Sequence, residues 1–538
     1  MKKFIFSLFM ATTCLMGCNE LDLTPIDYAA TGNYWQNEEQ VATFMNGLHK
    51  HLRDDYTSPV VLGELRGGTL RDGTSSLGTS LDRATIVTSA LTTTSTGITN
   101  WNGYYNKLLQ LNHFIQEVEN GCTFLSESSR NFYLGQAYGI RAYYYFMLYR
   151  TYGGVPLETE VKLLDGSVDP SAMYMERATA EQTMKFLKDE IGKSEIAFGS
   201  DNTLDRVTWS RFATLFLKAQ IYLWSAKVNT NDYEGPHTAT GNADLQIARQ
   251  ALEDIRSSGL FDLEKNFADI FAYDNKRNKE IILAMHFDKD EATNLGWGDY
   301  FLYSPGLFIG QMYDENGNLY NTDPLESANT GLLRYEYKES FVRTFDQEDT
   351  RRAATFFEYY TTADPATREM GVSMLKMRGH LDSDGSRYYD SDIIMFRYAD
   401  VLLMMAEVEN GLNGTCASYI NDIRERAYGN AYRPEFAYTD GSYAQNEMAI
   451  LHERDKEFVG EGTRWFDIVR LHDANNNPLA FSAEANYPSE NGGVASPVLK
   501  SNETYKLLWP VDVTVLNADE LLEQTWGYKE AVGNTAAN

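Results

Sequence analysis

The sequence predicts a mainly α fold: a scaffold of paired helices carrying a long, irregular, loop-rich insert and few short strands. Three observations predict it. Apolar residues recur at helical spacing through residues 36–259 and again through 392–475. The helical segments are short and separated by capping residues and glycine or proline breakers. Between the two regions, residues 260–391 are rich in Tyr, Phe, Asn, Gly and Asp, and their helical stripes are weak.

Asn37 to Arg53 reads as the first helix of the body. Asn100 to Asn120 sets Tyr104, Leu108, Leu111 and Ile115 on one face, with Gly121 as its stop. Ser129 to Tyr152 follows and closes at Gly153-Gly154, ahead of Pro156. Within it Tyr143, Tyr144, Tyr145 and Tyr149 are expected in the core. Glu181 to Phe198 is the next helix. Thr208 is the expected N-cap of another, with Phe212, Leu215, Phe216, Ala219, Leu223 and Ala226 as its stripe. Ala243 to Ser258 ends before Gly259. In the insert, Ile281 to Phe287 suits a short strand, and Glu315 to Asn318 a hairpin turn. Helices return with a stripe of Ile394, Tyr398, Val401, Leu402, Met405 and Ala406. Ser442 and Gln445 form a capping box for a helix from about Tyr443. Residues 476–538 are loop-rich. Paired helices with small residues at their contacts suggest a tetratricopeptide-like stack, although the consensus of that repeat is poorly matched.

The N-terminus reads as an address. Lys2 and Lys3 precede a mostly apolar run, Phe4 to Leu15, too short to span a bilayer. Leu15-Met16-Gly17-Cys18 then resembles the bacterial lipobox, in which the cysteine is lipidated and becomes the first mature residue. The expected division is a signal peptide over 1–17, a lipid tether and linker over 18–35, and one body over 36–538. Anchoring would be through acyl chains on Cys18 alone.

Composition excludes several partners. The 538 residues carry 76 acidic and 47 basic side chains, a net charge of −29. Such a surface repels phosphate backbones and anionic lipid heads, and does not penalise a neutral ligand such as a sugar. Aromatics make up 13%, with 35 tyrosines, whose apolar body and polar tip suit wet binding surfaces as well as cores. Cys122 and Cys416 are the cysteines of the body, and no spacing suggests zinc or another metal. No GxSxG, HExxH or phosphate loop occurs, so no catalytic residue or cofactor is expected.

The stretch ERDKEFVGEGTRWFDIVR, 453–470, poses the main functional choice. Its carboxylates invite a glycosidase reading. However, arginines are as plentiful, and a carboxylate forked by arginine has its pKa lowered, which is wrong for a general acid. Glu453, Arg454, Glu457, Glu461, Arg464 and Asp467 are therefore expected to form a structural salt-bridge network pinning the last helix pair. Gly460 and Gly462 are expected to break the helix and restart it near Thr463. Arg464→Ala should destabilise the protein.

Four ordered blocks resemble the SusD/RagB-like lipoproteins of Bacteroidetes-type outer membranes. They are HERDKEFVGEGTRWFDIVRL (452–471), IIMFRYADVLLMMAEVEN (393–410), AYGIRAYYYFMLYRTYGGVPL (137–157) and LLWPVDVTVLNADELLEQTWGY (507–528). Asp512, Val513 and Thr525 depart from the pattern, and residues 260–391 match nothing in it. The resemblance implies a helical scaffold on the outer face of the outer membrane. It also implies a SusC-like TonB-dependent porin as partner, and a captured nutrient, usually a glycan and sometimes a peptide. By the same resemblance the chain is a binding protein and not an enzyme. The competing readings are a surface glycoside hydrolase and a structural helical-repeat adaptor. Asp382, Asp384, Asp390 and Asp392 invite a calcium reading, but the order of a calcium loop is absent.

A sugar receptor needs aromatic platforms and polar side chains that meet hydroxyls. Trp101, flanked by Asn100 and Asn102, resembles a tryptophan of the family whose neighbourhood touches ligand in some members. Trp297 lies between glycines and is followed by Tyr300 and Tyr303, all expected as exposed platforms. RGGTLRDG (66–73) adds Arg66, Arg71 and Asp72 on a glycine-rich loop. On this reading Trp297→Ala or Trp101→Ala weakens binding with little loss of fold.

Overall fold

The computed structural model describes residues 34–74, 83–99, 101–161, 173–327, 331–489 and 492–529. The expected signal, Cys18 and most of the tether lie outside the described residues. Helices of seven residues or more are numbered in chain order. They are α1 (Glu38–Asp54), α2 (Asn102–Asn120), α3 (Glu127–Tyr152), α4 (Ala180–Phe198), α5 (Arg211–Lys227) and α6 (Asn242–Ser257). Beyond the insert's α7 (Leu295–Phe301) come α8 (Tyr398–Gly411), α9 (Ala417–Tyr428), α10 (Tyr443–Glu457) and α11 (Arg464–Arg470). Each packs on its neighbour from α1 to α6; α8 then closes on α6 and carries α9 and α10.

Local chemistry sets these boundaries. Asn37, Ser126 and Ser210 cap α1, α3 and α5 by accepting backbone N–H groups with their side chains. Thr179 with Gln182, and Ser442 with Gln445, form complete capping boxes on α4 and α10. Thr208 is not a cap: Asp205 accepts its N–H and its hydroxyl in the turn ahead of Ser210. The tyrosines of α3 are all buried, in a largely apolar stack that also encloses the Arg141–Glu190 ion pair.

The insert has more order than its composition suggests. Among the described residues eight strands, six of them in the insert, form four two-stranded antiparallel ladders. β1 (Leu70–Asp72) pairs β3 (Tyr335–Tyr337), and β2 (Ile281–Met285) pairs β8 (Ile393–Arg397). β4 (Phe356–Tyr360) pairs β5 (Met370–Met374), and β6 (His380–Leu381) pairs β7 (Arg387–Tyr388). Two of these ladders join insert to scaffold. Ile394, expected on a helical stripe, belongs to β8, and the helix starts only at Tyr398. Ile393, Ile394 and Phe396 are buried in the β2–β8 ladder, and Phe396 stacks on Phe216 of α5 at 4.4 Å. A short apolar run reads equally as strand or buried helix until its partner is known.

The charged stretch is mostly buried, and all but one of its charged side chains, Lys456, form ion pairs. Glu457 meets Arg397 at 2.7 Å, Arg351 at 3.1 Å, and Arg426. Glu453 meets Arg351 at 2.7 Å and Arg424 at 2.8 Å. Glu461 meets Arg397 at 2.7 Å and Lys376 at 3.0 Å. Arg454 bridges Asp400 and Asp467, Asp467 also meets Arg470, and Arg464 meets Asp455 at 2.6 Å. Burial alone would raise the Glu457 pKa, but Arg426, Arg397 and Arg351 outweigh it and hold the carboxyl well below the usual range. The lattice reaches beyond the last helix pair. Arg351 and Lys376 come from the insert, Arg397 from β8 and Arg426 from α9, so it fastens insert to scaffold.

Gly460 and Gly462 separate α10 from α11, both at positive φ. At Gly462 a Cβ would lie 2.4 Å from the Pro59 carbonyl oxygen, so only glycine fits there. Its N–H donates to buried Glu64, which also accepts from the Tyr337 hydroxyl at 2.7 Å. Burial pushes the Glu64 carboxyl up to about 7 from 4.5. A raised carboxyl pKa means that stability is lost as pH rises between those two values. Glu64→Gln removes that titration, because the amide can donate to the Tyr337 oxygen while its carbonyl accepts from Gly462. The variant and wild type should melt together near pH 4, and the variant should melt a few degrees higher at pH 8. Parallel melting curves across that range would refute the assignment.

Candidate ligand-binding site

The aromatic residues expected as platforms are buried. Trp297 is 1% exposed and packs beside Met374 and Gly460, and Tyr300 and Tyr303 are buried with it. Glycine at 298 serves close packing: a Cβ there would lie 3.0 Å from the Leu302 side chain. The Tyr303 ring stacks on Phe308 at 4.0 Å, and its hydroxyl donates to Asp323. Trp297→Ala should therefore cost stability, contrary to the expectation from sequence.

The glycine-rich loop is also more structured than expected. Arg71 lies in β1, donating to Glu336 at 2.9 Å and to the Met370 carbonyl at 2.7 Å. Burial pushes the Glu336 carboxyl up to about 7, while Arg71 opposes the shift. Asp72 is exposed at the strand end. Arg66 is buried, its guanidinium 4.0 Å over the Trp465 ring, and it meets no ligand face. Asp390 and Asp392 accept from His380 and His286 at 2.9 and 3.0 Å, and Asp382 pairs with Lys289. Asp384 accepts the Ser386 N–H. Among the described residues no group of three or more acidic, His or Cys side chains is placed to hold a metal. Cys122 and Cys416 are buried and unpaired.

Trp101 is 4% exposed, its ring edge-on to Tyr152 at 5.2 Å. Asn102 opens α2, and its side chain is outside the described residues. Tyr152 in turn lines a cleft of about 330 Å³, so Trp101 stands one ring behind an open surface. The cleft lies where the C-terminal segment 519–528 crosses segments 176–179 and 231–234.

The cleft is built by a few fixed groups. α3 stops at Gly153, which has φ +80°, and the chain turns so that Arg177 reaches under the loops. Its guanidinium donates to the carbonyls of Gly154 at 2.7 Å, Tyr152 at 2.6 Å and Glu523 at 3.0 Å. Burial lowers its pKa from the ordinary value. Asp232 accepts the N–H of Ala180 at 3.0 Å and that of Glu234 at 3.1 Å, which fixes the loop before Tyr233. The Tyr233 oxygen accepts the Gly527 N–H at 3.2 Å. Tyr233 is 39% exposed, and Trp526 is half-buried. Asn231, Glu176, Glu234 and Glu520 are exposed around them. Two aromatic rings beside an amide and carboxylates match the apolar face and hydroxyls of a sugar ring.

Sequence reading missed Tyr233 and Trp526. Both sit next to turn residues, in DYEGP (232–236) and TWGY (525–528), the criterion that selected Trp297. The difference lies in what covers each ring, which the local sequence does not contain.

The helical-pair scaffold carries a polar, aromatic-lined surface cleft. The family model described as SusD family matches residues 357–528, and the one described as starch-binding associating with outer membrane matches 36–223. A SusD superfamily protein of Bacteroides fragilis superposes with a TM-score of 0.82 at 37% identity, over 92% of this chain and 100% of that one. NanU of B. fragilis superposes at 0.79 with 30% identity, over 94% and 99%. SusD-like protein P38 of Formosa agariphila is 25% identical across 88% of this chain and 93% of its own. The starch-binding protein SusD of Bacteroides thetaiotaomicron is 25% identical over 59% of this chain and 60% of its own. The chain belongs to the SusD superfamily. Among the described residues no helix is long and apolar enough to cross a membrane.

Proposed function

We propose that the chain is a cell-surface lipoprotein of the outer membrane that captures a glycan and delivers it to a SusC-like TonB-dependent transporter. The cleft of Tyr233 and Trp526 is the observation that carries the capture step. Family membership supports the location and the transporter, and the lipobox at Cys18 supports the anchor. The carboxylates of 453–470 are committed to arginine and lysine, which leaves them unsuited to acid catalysis.

The charge around the cleft supports a neutral glycan as ligand. Glu176, Glu234 and Glu520 ring an already acidic chain, so uronate or sulfate groups are repelled while neutral sugars are not. Soluble protein starting after Cys18 should bind neutral oligosaccharides in a calorimetric screen and bind acidic ones at least tenfold more weakly. Binding confined to oligopeptides would replace the glycan reading with peptide capture. Full-length protein extracted in mild detergent should co-purify with a β-barrel transporter. Cys18→Ser should move the protein from the membrane fraction to the soluble fraction, and retention there would remove the anchor.

A further inference from the structure

We propose that a second, internal site binds a small monovalent anion of the halide class on Arg150, in the cavity enclosed by α3, β8, α8, α10 and α11. The cavity measures about 70 Å³. That is several times the roughly 10–15 Å³ needed for one water, and far below the size of an oligosaccharide site.

The anomaly is Arg150 itself. It is 9% exposed and lines the cavity. Phe146 covers its guanidinium at 4.3 Å and Phe466 at 3.8 Å, so the N–H edge is what remains for polar contact. That edge has one protein partner, the Met147 sulfur at 3.0 Å, and Nε has none. A guanidinium carries five N–H donors, and buried donors are normally paired. Arg66, Arg426 and Arg454 also have one unpaired nitrogen, but every other buried arginine donates to an oxygen. Arg141, Arg351, Arg397, Arg426, Arg454, Arg464 and Arg470 each hold a carboxylate, and Arg66 donates to the Lys506 carbonyl.

No carboxylate of the wall is left for Arg150. Asp400 is held by Arg454, Asp467 by Arg454 and Arg470, and Glu461 by Arg397 and Lys376. Burial pulls the Arg150 pKa down to about 9. An anion accepting from the free edge offsets that cost as water does only in part. Pro59, Gln220, Met395 and Thr463 line the cavity and are half-buried, which gives a small ion a way in.

Two measurements test the site. In crystals grown or soaked in sodium bromide, an anomalous peak is expected within hydrogen-bond reach of Arg150. In solution, Tm should rise saturably with sodium chloride relative to sodium gluconate at the same ionic strength, which separates site binding from general salt effects. Arg150→Met, which keeps the length and loses the charge, should abolish the difference between the two salts. A cavity holding only water in the bromide crystal, or equal Tm in both salts, overturns the proposal. So does a halide dependence that survives in Arg150→Met. Should the variant fail to fold, the bromide crystal of the wild type decides alone.

Discussion

Glu457→Gln will lower the stability of the folded chain by about 3–5 kcal/mol, the cost of leaving buried charges without their partner. The neutral amide faces Arg351, Arg397 and Arg426, all buried, and takes one carboxylate from each of them. The expected readout is a lower urea midpoint with an unchanged slope. Lys185→Ala, which removes the exposed pair with Asp189, should leave the midpoint in place and is the control. The pH dependence runs opposite to that of Glu64. The Glu457 carboxyl is depressed, so its contribution is present above the unfolded value of 4.5 and is lost as pH falls toward the folded one. The gap between wild type and Glu457→Gln should therefore narrow below about pH 4.5. A gap that stays constant down to acid pH would show that Glu457 is not the hub of the lattice.

The elements legible in the sequence are those whose cause is local. α4 and α10 begin at capping boxes, and α3 ends at a glycine that must adopt positive φ; both signals lie within a few residues. The break between α10 and α11 was readable for the same reason. The sign alternation of 453–470 predicted ion pairing, but not its reach, because Arg351, Lys376 and Arg426 are 31 to 106 residues away from their partners. Exposure failed for a related reason. Trp297 and Trp526 both adjoin glycine, yet one is closed over by β5 and the 458–462 turn while the other stays open at the cleft. Arg71 reads as a loop cation until its strand meets Glu336, 265 positions on.

Trp526→Ala will weaken glycan binding by about thirtyfold, equivalent to about 2 kcal/mol, while leaving the melting temperature nearly unchanged. A half-buried indole at a cleft offers the largest apolar face available to a sugar ring, and its removal leaves the pyranose to water on that side. Tyr233→Phe and Tyr233→Ala separate ring from hydroxyl. The oxygen is engaged by the Gly527 N–H, so losing it alone should change affinity little, whereas losing the ring should approach the effect at Trp526. Trp101→Ala acts at one remove, by freeing Tyr152. It should weaken binding less than Trp526→Ala and lower the melting temperature more, the reverse of a contact residue. Isothermal titration with one neutral oligosaccharide and a melting curve on each variant distinguish these cases. If Trp526→Ala and Tyr233→Ala both bind as wild type, the cleft is not where the ligand sits, whatever the chain carries.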